Sequence, residues 1–191
     1  MVLKKFNDKQ ILKGTKLVLE GLGLDLKDPN FIETPERILR SYYEICGGLI
    51  DKKRKIKKIL SKSFPTEYNG MIMEGPIRCY SLCPHHFLPV IYDIYIGYIP
   101  SENGLGLSKL PRLLEFLAQS PKLQEDFTKE IVDILKKNIN PDGVMAVVKG
   151  NHLCMQMRGI KKTNCVTTTS SFIGVFINKD ARDEFLNLIK E

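Results

Sequence analysis

The chain has 191 residues, 43% hydrophobic and 27% charged, the composition of an ordinary globular domain that can bury a core without disulfide staples. No apolar run approaches the length of a membrane span, and Met1–Lys16 scatters its charges and lacks a signal-peptide core, so the expected location is the cytoplasm. Of the net charge of +7, seven Lys or Arg against one acid lie between Asp51 and Lys62, which leaves 22 bases and 21 acids elsewhere; with no aromatic residues among those bases, a solvated tract is expected and a nucleic-acid face is not.

In chain order, Lys9–Leu19 carries apolar residues at 11, 12, 18 and 19 with charges between, a helix. Thr34-Pro35-Glu36-Arg37 reads as the next helix start, with Thr34 as N-cap and Pro35 in the first helical position, and Gly47-Gly48 as its stop. Residues 1–63 thus form an N-terminal helical region ending in the basic linker, and residues 64–191 the main domain. Val90–Ile99, β-branched and aromatic and closed by Pro100, predicts a strand. One helix is predicted from near Ser108, with Leu110, Leu113, Leu114 and Leu117 on one face. A second follows from near Pro121, with Glu125 and Asp126 in its first turn. After Asn140-Pro141-Asp142-Gly143 the period returns to two, and Met145–Val148, Leu153–Arg158 and Val166–Phe176 read as strands. The order predicts an α+β fold, with helices packed on one face of a mainly antiparallel sheet.

Five cysteines at irregular spacing and no secretory signal indicate reduced thiols, some of them candidates for metal binding. All three histidines lie within three residues of a cysteine, in Cys83-Pro84-His85-His86 and His152-Leu153-Cys154. Cys83 and His86 can close on one tetrahedral ion, and Cys154 as third ligand leaves a fourth position for water, as in catalytic zinc sites. The alternative is inert buried thiols beside core histidines. On a strand, His152, Cys154, Gln156 and Arg158 would share one face, like the floor of a site. Gly104 and Gly106 lead into a helix whose first turn carries Lys109 and Arg112. That suits phosphate, though a plain loop and a charged surface helix fit the segment as well. The His-x-Glu and Pro-Cys-x-x-Cys pieces of zinc nucleobase deaminases are absent.

Together these segments resemble the GTP cyclohydrolase I family. The matching pieces are Thr34-Pro35-Glu36-Arg37, Cys83-Pro84-His85-His86, Gly106-Leu107-Ser108-Lys109 with Arg112, Gln124-Glu125, His152-Leu153-Cys154 with Arg158-Gly159, and Thr167-Thr168-Thr169-Ser170. The resemblance implies a tunnelling fold whose sheets join between subunits into a barrel, typically a homodecamer of two pentamers with sites between subunits. It implies zinc (Zn2+) held by Cys83, His86 and Cys154, and GTP as substrate, opened at guanine C8 with loss of formate and rearranged to 7,8-dihydroneopterin triphosphate. Glu125 would anchor the guanine edge with Gln124 beside it. Lys109, Arg112 and Arg158 would hold the triphosphate, with Arg37 and Arg40 reaching it from a neighbouring subunit. Ser108 would act at the ribose, and His85 and His152 would move protons. The chain departs from the usual pattern at Pro84, where the family has Glu, and at Ser120 and Lys122, where Arg and Gln are frequent. It departs again at Lys149-Gly150-Asn151, where a more acidic or apolar run is typical.

Overall fold

A computed structural model of the chain describes residues 5–190. Its helices are α1 (Asp8–Gly21), α2 (Thr34–Ile45), α3 (Lys52–Ile59), α4 (Lys109–Ala118), α5 (Gln124–Ile139), α6 (Leu153–Gln156) and α7 (Lys179–Leu188). Its strands are β1 (Ser63–Pro65), β2 (Ile72–Leu82), β3 (Pro89–Ile99), β4 (Asn103–Leu105), β5 (Gly143–His152) and β6 (Thr167–Gly174). Among the described residues no helix is long and apolar enough to cross a membrane.

The N-terminal helices form as their sequences direct, with two differences in detail. Asn7 caps α1 by accepting the Gln10 amide at 3.1 Å, the usual device for an orphan N–H at a helix start. In α2, Thr34 is the first helical residue rather than the N-cap, and Arg37 instead reaches back to the Glu33 carboxylate at 2.7 Å. The basic tract is no loose linker. Lys52–Ile59 is helical, with Ile56 and Leu60 buried and the bases outward. That apolar spacing of four residues places one side of the tract on the protein and the charges in water.

Strands β2, β3, β5 and β6 form one antiparallel sheet in the order β2-β3-β5-β6, while β1 and β4 pair separately. Alternation sorts the side chains of the sheet into two layers. On one face, Val90, Tyr92, Ile94, Ile96 and Tyr98 of β3 join Val144, Ala146 and Val148 of β5 in the main core. Leu110, Leu113, Leu114 and Leu117 of α4 and Phe127, Ile131, Val132 and Leu135 of α5 complete it, at helical spacing. Burying each of the Val, Ile, Leu and Phe side chains among them stabilises by about 1.5–3 kcal/mol relative to exposure.

The expectation that helices cover one face needs correction. Phe185 of α7, with Phe176, packs against Met145 and Val147 on the opposite face. The approach requires Gly97, because a Cβ there would lie 2.6 Å from the Phe185 ring. The register sets up the site. Val90 at the head of β3 pairs with His152 at the tail of β5, so the Cys83–Leu88 turn between β2 and β3 lies beside the residues that follow β5.

Candidate metal centre and active-site cavity

The Cys83 turn is built to present donors. The Cys83 amide donates to Leu88 O at 2.8 Å and the Phe87 amide to Cys83 O at 2.8 Å, which folds residues 83–88 tightly between two strands. Cys83 is buried while His85 and His86 are exposed, so the thiol lies under the two imidazoles. Its Sγ is 3.6 Å from His86 Nδ1 and 4.0 Å from His85 Nδ1.

Cys154 arrives from the other side, and not on a strand. The strand expected over Leu153–Arg158 is the short helix α6, closed by the Met157 amide donating to Leu153 O at 2.9 Å. The row of His152, Cys154, Gln156 and Arg158 on one strand face therefore does not exist. The change of conformation has a local cause: β6 pairs with β5 only as far as Gly150 opposite Thr167, so the chain beyond His152 has lost that partner strand. The helical turn brings Cys154 back over the Cys83 loop.

The donor atoms of Cys83, His86 and Cys154 all lie within 4.8 Å of one another. Tetrahedral zinc at about 2.3 Å from sulfur and about 2.0 Å from nitrogen needs ligand edges of roughly 3.5–3.8 Å, which small side-chain rotations supply here. Burial and the neighbouring Cys83 sulfur both push the Cys154 thiol up, and Arg158 opposes them in part. A divalent cation between the two adjacent sulfurs would favour their thiolate forms. The residues present fit zinc.

Beside the three donors lies a cavity of about 310 Å³ whose walls include His85, His152, Glu125 and Lys122. Glu125 and Gln124 open α5, and Glu125 also borders a second depression of about 420 Å³ along β6 with Ser170 and Ser171. Burial lowers the pKa of His152 below its ordinary value, partly offset by the Glu125 carboxylate, so its neutral form is favoured near pH 7. His152 Nε2 lies 2.8 Å from Gln124 Oε1.

Within one chain the structure gathers Cys83, His85, His86, Gln124, Glu125, His152 and Cys154 around this cavity. Ser108, Lys109 and Arg112, at the start of α4, do not line it, and neither do Arg37 and Arg40 on α2. Arg158 is exposed just past α6, close enough for its charge to act on Cys154. Sequence reasoning assigned no role to Gly150, Thr128 or Lys122. Gly150 leaves the space that the Gln124 carboxamide fills, since a Cβ there would meet Oε1 at 2.2 Å. Thr128 and Thr169 bond to one another at 2.6 Å beneath Gln124. Lys122 lines the cavity and bonds Glu130, which also holds Lys52 of α3. The Thr run and the glycine were visible in the sequence, but only the packing of α5 on β5 and β6 gives them these partners.

The family description GTP cyclohydrolase I matches residues 11–190. GTP cyclohydrolase 1 of Clostridium perfringens (strain 13 / Type A) is 41% identical over 175 residues, 91% of this chain and 93% of that protein. GTP cyclohydrolase 1 of Desulforamulus reducens is 40% identical over 186 residues, 96% of this chain and 98% of that protein. The crystal structure of the archaeosine synthase QueF-like in the apo form covers 55% of this chain and 93% of its own at 16% identity, with a TM-score of 0.43, too low to bear on the fold.

Proposed function

The chain belongs to the GTP cyclohydrolase I family, so its reaction is the hydrolysis of GTP to formate and 7,8-dihydroneopterin triphosphate, the first step of pterin and folate synthesis, and we propose that its residues divide that work as follows. One water is consumed overall. Guanine C8 leaves as formate, and the opened ribose rearranges and recloses on the freed nitrogen.

Cys83, His86 and Cys154 would hold zinc. Bound there, zinc would supply Lewis acidity and lower the pKa of a bound water to about 7. Glu125, at the mouth of the cavity, accepts hydrogen bonds from guanine N1–H and the 2-amino group, which fixes the base by its edge. His85, exposed beside Cys83, protonates guanine N7 as C8 is attacked, a task suited to an imidazole near neutral pH. His152, kept neutral by burial, moves protons in the steps that follow ring opening. Ser108 serves the ribose, and Lys109, Arg112 and Arg158 the triphosphate. Because Ser108, Lys109 and Arg112 lie outside the cavity of their own chain, these contacts require a second copy, with Arg37 and Arg40 also reaching across. That calls for a homo-oligomer; the family resemblance implies a decamer of tunnelling-fold subunits with sheets joined into a barrel, and the cytoplasm is the location proposed for it.

The observation that carries this reading is the convergence, from separate segments, of three metal donors, a base-anchoring carboxylate and two further imidazoles around one cavity. The test is to incubate the purified protein with GTP and quantify formate and neopterin triphosphate, the latter by fluorescence after oxidation. Equal yields of both are expected. Formate without the fluorescent product would limit the chain to ring opening, and neither product would end the proposal.

A further inference from the structure

Gln124 is 3% exposed, and both polar atoms of its carboxamide are engaged by protein. Its Nε2 lies 3.0 Å from Val148 O, 2.9 Å from Thr167 O and 3.1 Å from Thr169 Oγ1. A backbone carbonyl only accepts, so the amide nitrogen is the atom that must face β5 and β6. Turned over, the group would set its oxygen against two carbonyl oxygens and its NH2 against a ring nitrogen. The surroundings thus decide which way the carboxamide points. Oε1 then faces His152 Nε2 at 2.8 Å. That oxygen carries no hydrogen, so the imidazole must donate. Nε2 therefore bears a hydrogen, and of the two neutral tautomers only Nε2–H, with Nδ1 bare, fits this contact.

The threonines below support this arrangement. Thr128 Oγ1 spends its single hydrogen on Gln124 O at 2.8 Å. With that hydrogen on Gln124 O, Thr169 is the donor in its 2.6 Å contact with Thr128 Oγ1. Thr169 in turn accepts from Gln124 Nε2, whose two hydrogens are shared among Thr169 Oγ1 and the carbonyls of Val148 and Thr167. These contacts link Gln124 Nε2 through Thr169 and Thr128 back to Gln124 O. Above it, Gly150 keeps the place of Oε1 clear.

We infer that Gln124 is a positioning residue that fixes His152 as the Nε2–H tautomer, making Nδ1 the nitrogen through which His152 exchanges a proton with the substrate. Thr128, Thr169 and the carbonyls of Val148 and Thr167 hold the carboxamide for that task, and Gln124 itself does not touch GTP. The role of Nδ1 rests on the reaction proposed above, whereas the tautomer rests on the contact between Gln124 Oε1 and His152 Nε2.

The experiment is magic-angle-spinning NMR of the full-length, zinc-loaded protein carrying ¹⁵N-histidine, with the His152 signals assigned by their loss in His152→Asn. The expected spectrum has a protonated Nε2 and a bare Nδ1. Gln124→Met keeps the side-chain length but removes the acceptor; it should give mixed tautomers and lower kcat by about tenfold or more, as when an outer partner that orients an imidazole is lost. KM for GTP should stay within about twofold, as for a residue that does not bind substrate, and zinc content should be unchanged. Thr169→Val should shift the same signals and lower kcat less, and Thr169→Ser should restore both. A wild-type His152 protonated at Nδ1 overturns the inference. So does a Gln124→Met enzyme with an unaltered spectrum and raised KM, which would make Gln124 a substrate contact. If the protein makes no dihydroneopterin triphosphate, the reaction assigned to it fails, while the nitrogen spectrum still decides the tautomer.

Discussion

Replacing Gly150 by alanine adds one methyl group where the structure has no room for it. A Cβ at this position lies 2.2 Å from Gln124 Oε1, 3.0 Å from Gln124 Cδ and 3.1 Å from Tyr92 Cε1. Gly150 is paired with Tyr92 on one side and Thr167 on the other, so the strand cannot slide away, and the carboxamide must leave instead. Its departure breaks the contacts to His152, Val148, Thr167 and Thr169, at about 1 kcal/mol net for each hydrogen bond that water does not replace. Overpacking alone costs about 1–3 kcal/mol. A combined loss of about 3 kcal/mol lowers Tm by roughly 6–12 °C in a chain of this length. Turnover should fall together with stability, because His152 loses the oxygen that orients it. The control is Gly14→Ala in the middle of α1, where a Cβ meets nothing within 4 Å and helix propensity predicts a gain of about 0.5–1 kcal/mol. Thermal melts and GTP turnover on the two variants, side by side, separate the site from the substitution. A Gly150→Ala protein that melts and turns over like wild type would refute the packing argument.

Three further outcomes follow from the same geometry. Cys154→Ser removes one of the three clustered donors, so zinc measured by atomic emission after dialysis should fall from about one ion per chain toward none, and formate release should stop; full zinc retention would exclude Cys154 as a ligand. Glu130 is held below its ordinary pKa: burial pushes the carboxyl up, but hydrogen bonds from Lys122 and Lys52 outweigh it, whereas for Lys122 burial prevails and lowers the ammonium. A depressed carboxyl contributes stability above its unfolded value of 4.5 and loses it as pH falls through the lower folded value. Glu130→Gln should therefore cost about 1–3 kcal/mol at pH 7, with the gap to wild type closing as denaturation is repeated below pH 4.5; a gap independent of pH would contradict the ion-pair assignment. Among the thiols, burial pushes Cys79 up to about 12 and raises Cys46 as well, while Cys165 is exposed. A thiol reagent at pH 8 should label Cys165 first and Cys83 and Cys154 after zinc is chelated, leaving Cys46 and Cys79 until unfolding; early labelling of Cys79 in the native protein would contradict its burial.

The parts of the site that sequence made legible are those whose chemistry is carried by residue type at short spacing. Cys83-x2-His86 names two donors and a loop, and no tertiary information is needed to see that they can share an ion. Tertiary pairing was invisible, and it accounts for most of the differences. Leu153–Arg158 alternates apolar and polar residues as a strand does, yet six residues also fit a helical turn, and the outcome depends on β6 stopping opposite Gly150. Strand β2 went unread because its pairing with β3 is interrupted between Glu74 and Ile77, where Gly75-Pro76 breaks the alternation. Helix α3 was hidden by its own charge: seven bases dominate Asp51–Lys62, whereas Ile56 and Leu60, one helical turn apart, decide which side is buried. The triphosphate residues pose the opposite case. Lys109 and Arg112 have the right chemistry in an anion-binding context, but one chain folds them away from the cavity, so the task proposed for them would need a neighbouring copy. Where function needs only residue type and local spacing, sequence suffices. Where it needs a specific oxygen in a specific place, as with Gln124 over Gly150, the decisive fact is what packs against it.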